Sequence, residues 1–425
     1  MDYGCLDMQE FNLLKEFGPE ERLTLLIARW LVNNQTTLKI KESLIPKDIV
    51  WERFRQSLRY HQLSPFAYFF FRKTPYLLPD KEKELLKQSY HSCVISQSYL
   101  WQEFIKILDT FNNKGIEFVP LKGIAIIIDN IYADKTYLRP MCDIDLLIKE
   151  KGILPFIEKT LEDLGYEKWL GGMREEYWKK KNYHIGFIKN QDRKLFYYTE
   201  VHWALDYKRD KPMLPNLWNR LKKSQVEGKD VCLLSPEDTL FSLALHQRRF
   251  GGKTLCFKNV CDATMLLKRY NGKLDWDYIL REAKTACIRT TLYFILTQAN
   301  LFFSVQIPSF VIDTLDVPNY KKRLIRRFIV QNTFTSSLGS NDIKIDTRRF
   351  SYLKSHFLLY DNLWGPVENI LNIPQEQFAK FYRLKPYASK TNLFYKIRYL
   401  YFLNSLFGII IRSIAKRVLD FFKNL

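Results

Sequence analysis

The chain has no pair of cysteines at the two-residue gap of a zinc knuckle or a thiol redox motif. Its seven cysteines stand at 5, 93, 142, 232, 256, 261 and 287. The number is odd, and the closest pair, Cys256 and Cys261, has no matching second pair. This spacing predicts free thiols in a reducing compartment rather than a disulfide framework. The opening Met1-Asp2-Tyr3-Gly4 lacks the basic start and apolar run of a secretory signal. A membrane span needs ~20 predominantly apolar residues. Thr290 to Ile312 has the length but is interrupted by Gln298, Asn300, Gln306 and Pro308, so it is expected to be a buried helix. Tyr399 to Ile411 is apolar but too short. The expected location is therefore cytoplasmic. There is no internal repeat, and no aromatic-basic signature strong enough to select an RNA ligand.

What remains is a chain of 425 residues, long enough for two or three cores. The apolar share of 47% and charged share of 26% exclude general disorder. Aromatics make up 15% and recur in nearly every segment, which marks most of them as core. The 66 Lys and Arg against 46 Asp and Glu leave a formal charge of +20. Such an excess favours nucleotides, nucleic acid or an anionic membrane surface, or serves solubility alone.

From about Glu20 to Asn113 the apolar spacing is helical, with a break near Pro65. The texture changes at Lys114-Gly115. Ile116 to Leu121 reads as a strand ending at Lys122-Gly123, and Ile124 to Tyr132 as a helix packed on it. Asp143 to Ile148 is a second strand, followed by an amphipathic helix that stops at Leu164-Gly165. Tyr183 to Lys189 and Leu195 to Trp203 form a hairpin whose second strand carries Glu200. Ser235, followed by Pro236, is an N-cap that opens a helical stretch reaching about Val305. The expected units are a helical region over 1–114, a core over 115–233, a helical domain over 234–310 and a basic helical region over 311–425. Lys396, Arg398, Arg412, Lys416 and Arg417 lie among aromatics at the basic end. An amphipathic helix there docks on another part of the protein or makes peripheral contact with an anionic membrane, the former being favoured.

Side chains two apart on a strand share a face, so Asp143 and Asp145 are expected side by side, with Ile144, Leu146 and Ile148 opposite. Paired carboxylates repel unless a cation sits between them. Magnesium suits that place, because it takes a few carboxylates and fills its octahedron with phosphate oxygens and water. Asp-Ile-Asp alone is a common triplet; its position after a strand, a Lys-Gly turn and an apolar helix gives it meaning.

Leu121-Lys122-Gly123, Tyr132, Arg139 and Asp143-Ile144-Asp145-Leu146-Leu147-Ile148 together resemble the uncharacterised nucleotidyltransferase family of the DNA polymerase β-like superfamily. Glu200-Val201-His202-Trp203 is similar to its third acidic motif, and Leu234 to Asp238, His246 and Leu274-Asp275-Trp276 to its helical part. The likeness spans roughly Trp51 to Pro308. It implies an α+β fold, with a small mixed-sheet core between N-terminal and C-terminal helical regions. It also implies two magnesium ions, or manganese in their place, on Asp143, Asp145 and Glu200, with Glu200 helping to activate a hydroxyl. The chemistry implied is transfer of a nucleoside monophosphate from a triphosphate such as ATP to a hydroxyl acceptor, with release of pyrophosphate. A small or peptide-linked acceptor is preferred over nucleic acid. Lys122, Gly123 and Arg139 are the implied phosphate contacts. His202 orients Glu200, meets nucleotide or is bonded in the core. His246, Trp203 and Trp276 are expected to be structural. Two departures bear on the phosphate contacts: Ile124 replaces the small residue usual after the turn glycine, and the stretch from Gly123 to Asp143 is longer than in most of the superfamily. Two other readings are glycosyl transfer from a nucleotide sugar and a non-catalytic nucleotide-binding module. A toxin–antitoxin nucleotidyltransferase fits less well, since those chains are shorter.

Overall fold

The computed structural model describes residues 17–33, 45–46, 48–171, 174–191, 195–206, 214–249, 256–333 and 357–362, with a few positions between 375 and 397. Three helices, α1 (Pro19–Val32), α2 (Trp51–Tyr60) and α3 (Ser64–Phe71), lead into the long α4 (Asp80–Asn113). The break between α2 and α3 comes at Gln62, whose backbone is left-handed (φ 55°), and Pro65 then sits in the first turn of α3. Gly115, also left-handed, turns the chain out of α4.

A sheet follows, in the order β1-β2-β5-β4-β3. Its strands are β1 (Phe118–Pro120), β2 (Ile144–Ile148), β3 (Glu167–Trp169), β4 (His184–Gln191) and β5 (Leu195–His202). The short helix α5 (Lys122–Ile128) joins β1 to β2, α6 (Leu154–Asp163) joins β2 to β3, and α7 (Glu175–Lys181) precedes β4. β2 runs parallel to β5 and antiparallel to β1, while β4 and β5 form the expected antiparallel hairpin. The sheet is thus mixed and the class α+β. One expectation shifts by a residue: β2 begins at Ile144, so Asp143 stands just before the strand rather than on it.

A two-stranded ribbon, β6 (Lys222–Val226) and β7 (Lys229–Leu233), precedes six helices. These are α8 (Pro236–Arg249), α9 (Phe257–Arg269), α10 (Trp276–Thr285), α11 (Arg289–Phe303), α12 (Ser309–Thr314) and α13 (Asn319–Thr333). Thr290 to Ile312 is split at Ser304 between α11 and α12, and α11 is buried along most of its length. Among the described residues no helix is long and apolar enough to cross a membrane. A last described helix, α14 (Ser389–Lys396), holds Lys396; Arg398, Arg412, Lys416 and Arg417 lie outside the described residues.

The strand alternation divides the interior in two. Ile144, Leu146 and Ile148 join Ile185, Phe187 and Val201 in a core shared with Phe104 and Ile107 of α4 and Ile157 and Leu161 of α6. Leu147, from the other face of β2, joins a second core with Val119, Leu121 and Tyr132. That core is built mainly by α1–α3 and α8–α13. Asp145, Glu200 and His202 therefore lie on the face that looks toward α1–α3 and α8–α13, with Leu147.

Candidate active site

β1 pairs with β2 up to Pro120, and the Leu121 N–H still donates to the Asp145 carbonyl at 2.8 Å. Lys122 then takes a left-handed backbone (φ 49°) that ends the strand and starts α5. Such a conformation is costly for a residue with a Cβ and is held where the surroundings impose it. Here it brings the Lys122 side chain back over the sheet. Its Nζ lies 2.5 Å from Asp145 Oδ1 and 3.8 Å from Glu200 Oε2.

The parallel register pairs Asp145 directly with Glu200 across β2 and β5. On the far side Glu200 is paired with Gly186, and His202 with His184. His184 and Gly186 of β4 therefore share a sheet face with Glu200, His202 and Asp145. His202 Nε2 is 2.9 Å from Asp145 Oδ1 and 3.2 Å from Glu200 Oε2. His184 Nε2 is 3.6 Å from Glu200 Oε1. The two imidazoles stack with centroids 5.0 Å apart, and Trp178 Nε1 donates to the His184 carbonyl at 2.6 Å.

The carboxylates differ sharply in character. Burial, and then the neighbouring charge of Asp145, push Asp143 up to about 6. Burial acts in the same sense on Glu200, but the hydrogen bond and charge of His202, with His184 and Lys122 behind them, hold it far below its ordinary range. Lys122 is raised: burial opposes its charge, and Asp145, Glu200 and Asp143 outweigh burial. Glu200 is thus held ionised beside the Lys122 ammonium, while Asp143 is drawn toward neutrality.

Arg139 is placed differently from expectation. Its guanidinium makes a bidentate pair with Asp262 of α9, Nε to Oδ1 at 2.8 Å and Nη2 to Oδ2 at 2.6 Å. Tyr132 donates its hydroxyl to the same carboxylate at 2.7 Å. The fork that would meet phosphate is already occupied by Asp262. What Arg139 does offer the site is a wall. A Cβ on Gly123 would fall 2.4 Å from Met141 Sδ and 2.9 Å from Arg139 Nη1, so a larger residue where α5 begins would have to displace those side chains. Ile124, the large residue after it, points away into the core beneath the sheet. That is why the departure from a small residue is accommodated.

Three contributors were missed in the sequence. His184 lies in a strand with no acidic motif to mark it. Asp262 and Lys258 belong to α9, more than a hundred residues from Asp143. Lys258 Nζ donates to the Pro140 carbonyl at 3.3 Å and is within electrostatic reach of Asp143. Among the described residues no carboxylate lies within ion-pair distance of it, and burial, then Arg139, lower its pKa. His246, expected to be structural, lines a small cavity with Ser242 and Leu245 of α8 and with Lys122, Tyr183 and His202. Trp203 carries Lys151 over its ring at 4.5 Å and packs on one core, and Trp276 packs on the other.

The sequence pattern that defines the uncharacterised nucleotidyltransferases matches residues 47–304. The chain belongs to that family. No curated protein and no solved structure matches it. Membership makes this nucleotidyltransferase a transferase with a nucleotide substrate in the general sense, and it places every residue of the site just described inside the matched segment.

Proposed function

We propose that this nucleotidyltransferase moves a nucleoside monophosphate from a nucleoside triphosphate to a hydroxyl of a small or peptide-linked acceptor, on a polymerase β-like core. The observation that carries the reading is the cross-strand pairing of Asp145 with Glu200, with Asp143 two residues ahead and Lys122 on the same face. Oxygen donors from Asp143, Asp145 and Glu200 suit magnesium, which binds through carboxylates and substrate phosphate. Bound there, it would neutralise charge building on the phosphoryl oxygens and favour loss of the acceptor's proton.

The chain's own residues supply the rest. Asp145 and Glu200 fix the metal positions from adjacent strands, and Asp143 closes the first of them. Glu200, held ionised, accepts hydrogen bonds from the acceptor side of the site. Lys122 is the near cation for the triphosphate. Lys258 replaces Arg139 as the second, since Arg139 is committed to Asp262. Gly123 lets the phosphates approach the backbone where a side chain would collide with Met141. The electrostatic cradle thus comes from β1–α5 on one side and α9 on the other, a preorganised arrangement of the kind that stabilises developing charge.

The test is magnesium-dependent binding of each nucleoside triphosphate by thermal shift, on wild type and on the Asp143→Asn/Asp145→Asn double variant. The expected result is a shift in wild type that the folded double variant lacks. An equal shift in both sinks the proposed metal site. A shift obtained only with nucleotide sugars would instead support glycosyl transfer.

A further inference from the structure

Resting on that reading, we propose that His184 and His202 are themselves metal ligands, so that the centre takes a first-row transition dication in preference to magnesium. The geometry is that of a ligand shell. Donor atoms of His184, Glu200 and His202 all lie within 4.8 Å of one another, and all three residues are buried. Ligands ~2.1 Å from one cation, in tetrahedral or octahedral array, stand roughly 3.0–3.5 Å apart. His202 Nε2 stands 3.2 Å from Glu200 Oε2 and His184 Nε2 3.6 Å from Glu200 Oε1.

Hydrogen bonding alone accounts for this arrangement less well. His202 Nε2 faces Asp145 Oδ1 and Glu200 Oε2 together, and a single N–H cannot donate linearly to both. A lone pair aimed at a cation seated on Glu200 is the alternative, with Asp145 Oδ1 left to the Lys122 ammonium 2.5 Å away. The backbone fixes the pair in place. His184 and His202 are register partners on β4 and β5, and Tyr183 packs against both rings.

Two imidazole nitrogens in an otherwise carboxylate shell change which ion binds best. Magnesium is hard and keeps to oxygen, whereas manganese, iron and zinc accept mixed nitrogen and oxygen donors. Asp143 and the open side of Asp145 remain an all-oxygen position, so the inference concerns the metal seated on Glu200 and leaves the other position to magnesium.

The experiment titrates the full-length wild-type protein with manganese, zinc and magnesium by calorimetry, then records pulsed electron paramagnetic resonance on the manganese form. Manganese should bind at least about tenfold more tightly than magnesium, and its spectrum should show nitrogen-14 modulation. His184→Ala and His202→Ala should each reduce that modulation and weaken manganese by about 10- to 100-fold, while Asp143→Asn should keep the modulation. The wild-type spectrum decides even where a variant fails to fold. Manganese bound without nitrogen modulation overturns the inference and leaves the nucleotidyl-transfer reading standing. No binding of any dication, with or without a nucleoside triphosphate, overturns both.

Discussion

Arg139 and Asp262 are far apart in the chain yet exchange two hydrogen bonds in a buried pair, and that pair sets how the turn at Gly123 can be built. Asp262→Asn leaves the guanidinium buried without its counter-charge, a change that costs about 3–5 kcal/mol. Urea denaturation should show it as a lower midpoint with unchanged slope; a loss below about 1 kcal/mol would mean that water reaches the pair. Asp143 gives a second test at this scale. Its pKa, raised to about 6, means that the protonated acid favours the fold at low pH, a contribution lost as pH rises through about 6. Cation binding has the opposite sign, because the ligand must be ionised. Magnesium affinity should therefore weaken as pH falls below about 6 while the metal-free fold does not weaken for this reason. Calorimetry at a series of pH values checks this, and an affinity flat across that range removes Asp143 from the ligand set. Asp145 and Glu200 were legible because strand alternation fixes the face each presents, whereas Asp143 lies just ahead of β2 and was legible only from its spacing to Asp145. Asp262, Lys258 and His184 were not, since nothing local in their sequences announces the partner they meet.

At the scale of elements, the local signals were reliable where the backbone itself dictates the residue. Ser235 caps α8 as its sequence predicts: its hydroxyl accepts from the Asp238 N–H at 3.1 Å and donates to the Asp238 carboxylate at 2.9 Å. Asp275 caps α10 in the same way, receiving the Tyr278 N–H at 2.9 Å. α8 carries Ser242, Leu245 and His246 to the cavity beside Lys122 and His202, so the cap also steadies one wall of the site. Ser235→Ala should cost ~1 kcal/mol, read from denaturant midpoints. It should also raise the Michaelis constant for nucleotide more than it lowers turnover; loss of turnover alone would detach α8 from nucleotide binding. The β6–β7 ribbon was overlooked, although its signal was present. Glu227 and Gly228 both have positive φ, the two-residue hairpin turn that a glycine at its second position permits. The charged residues of both strands hid their alternation. α5 proved shorter than its apolar run suggested, because the chain turns left-handed again at Asn130 and Ala133.

Among the described residues the sheet stands as a partition between two cores, and this could not be read from composition. The chain changes texture at Lys114-Gly115, which suggested a boundary between an N-terminal helical region and the core at 115. Yet Leu23, Leu31, Phe54 and Phe66 from before that point share one buried cluster with Val119, Leu121, Tyr132 and Leu147 of the sheet layer. Leu266, Leu292 and Phe302 of the later helices belong to it as well. Phe66 stacks on Tyr132 at 5.8 Å, and Tyr132 is the residue that holds Asp262 against Arg139. The early helices therefore reach the site through one layer of side chains. Each large apolar side chain they bury contributes roughly 1.5–3 kcal/mol, so a handful equals the net stability of a domain. A fragment beginning at residue 115 should lose cooperative unfolding and near-ultraviolet dichroism, and with them metal-dependent nucleotide binding. Adding back residues 1–114 as a separate chain should restore some of each if docking of these helices is what the core lacks. A 115–425 fragment that melts cooperatively and binds nucleotide as the full chain does would show that the sheet and the later helices complete their core alone, and that the shared cluster is an interface between independent units.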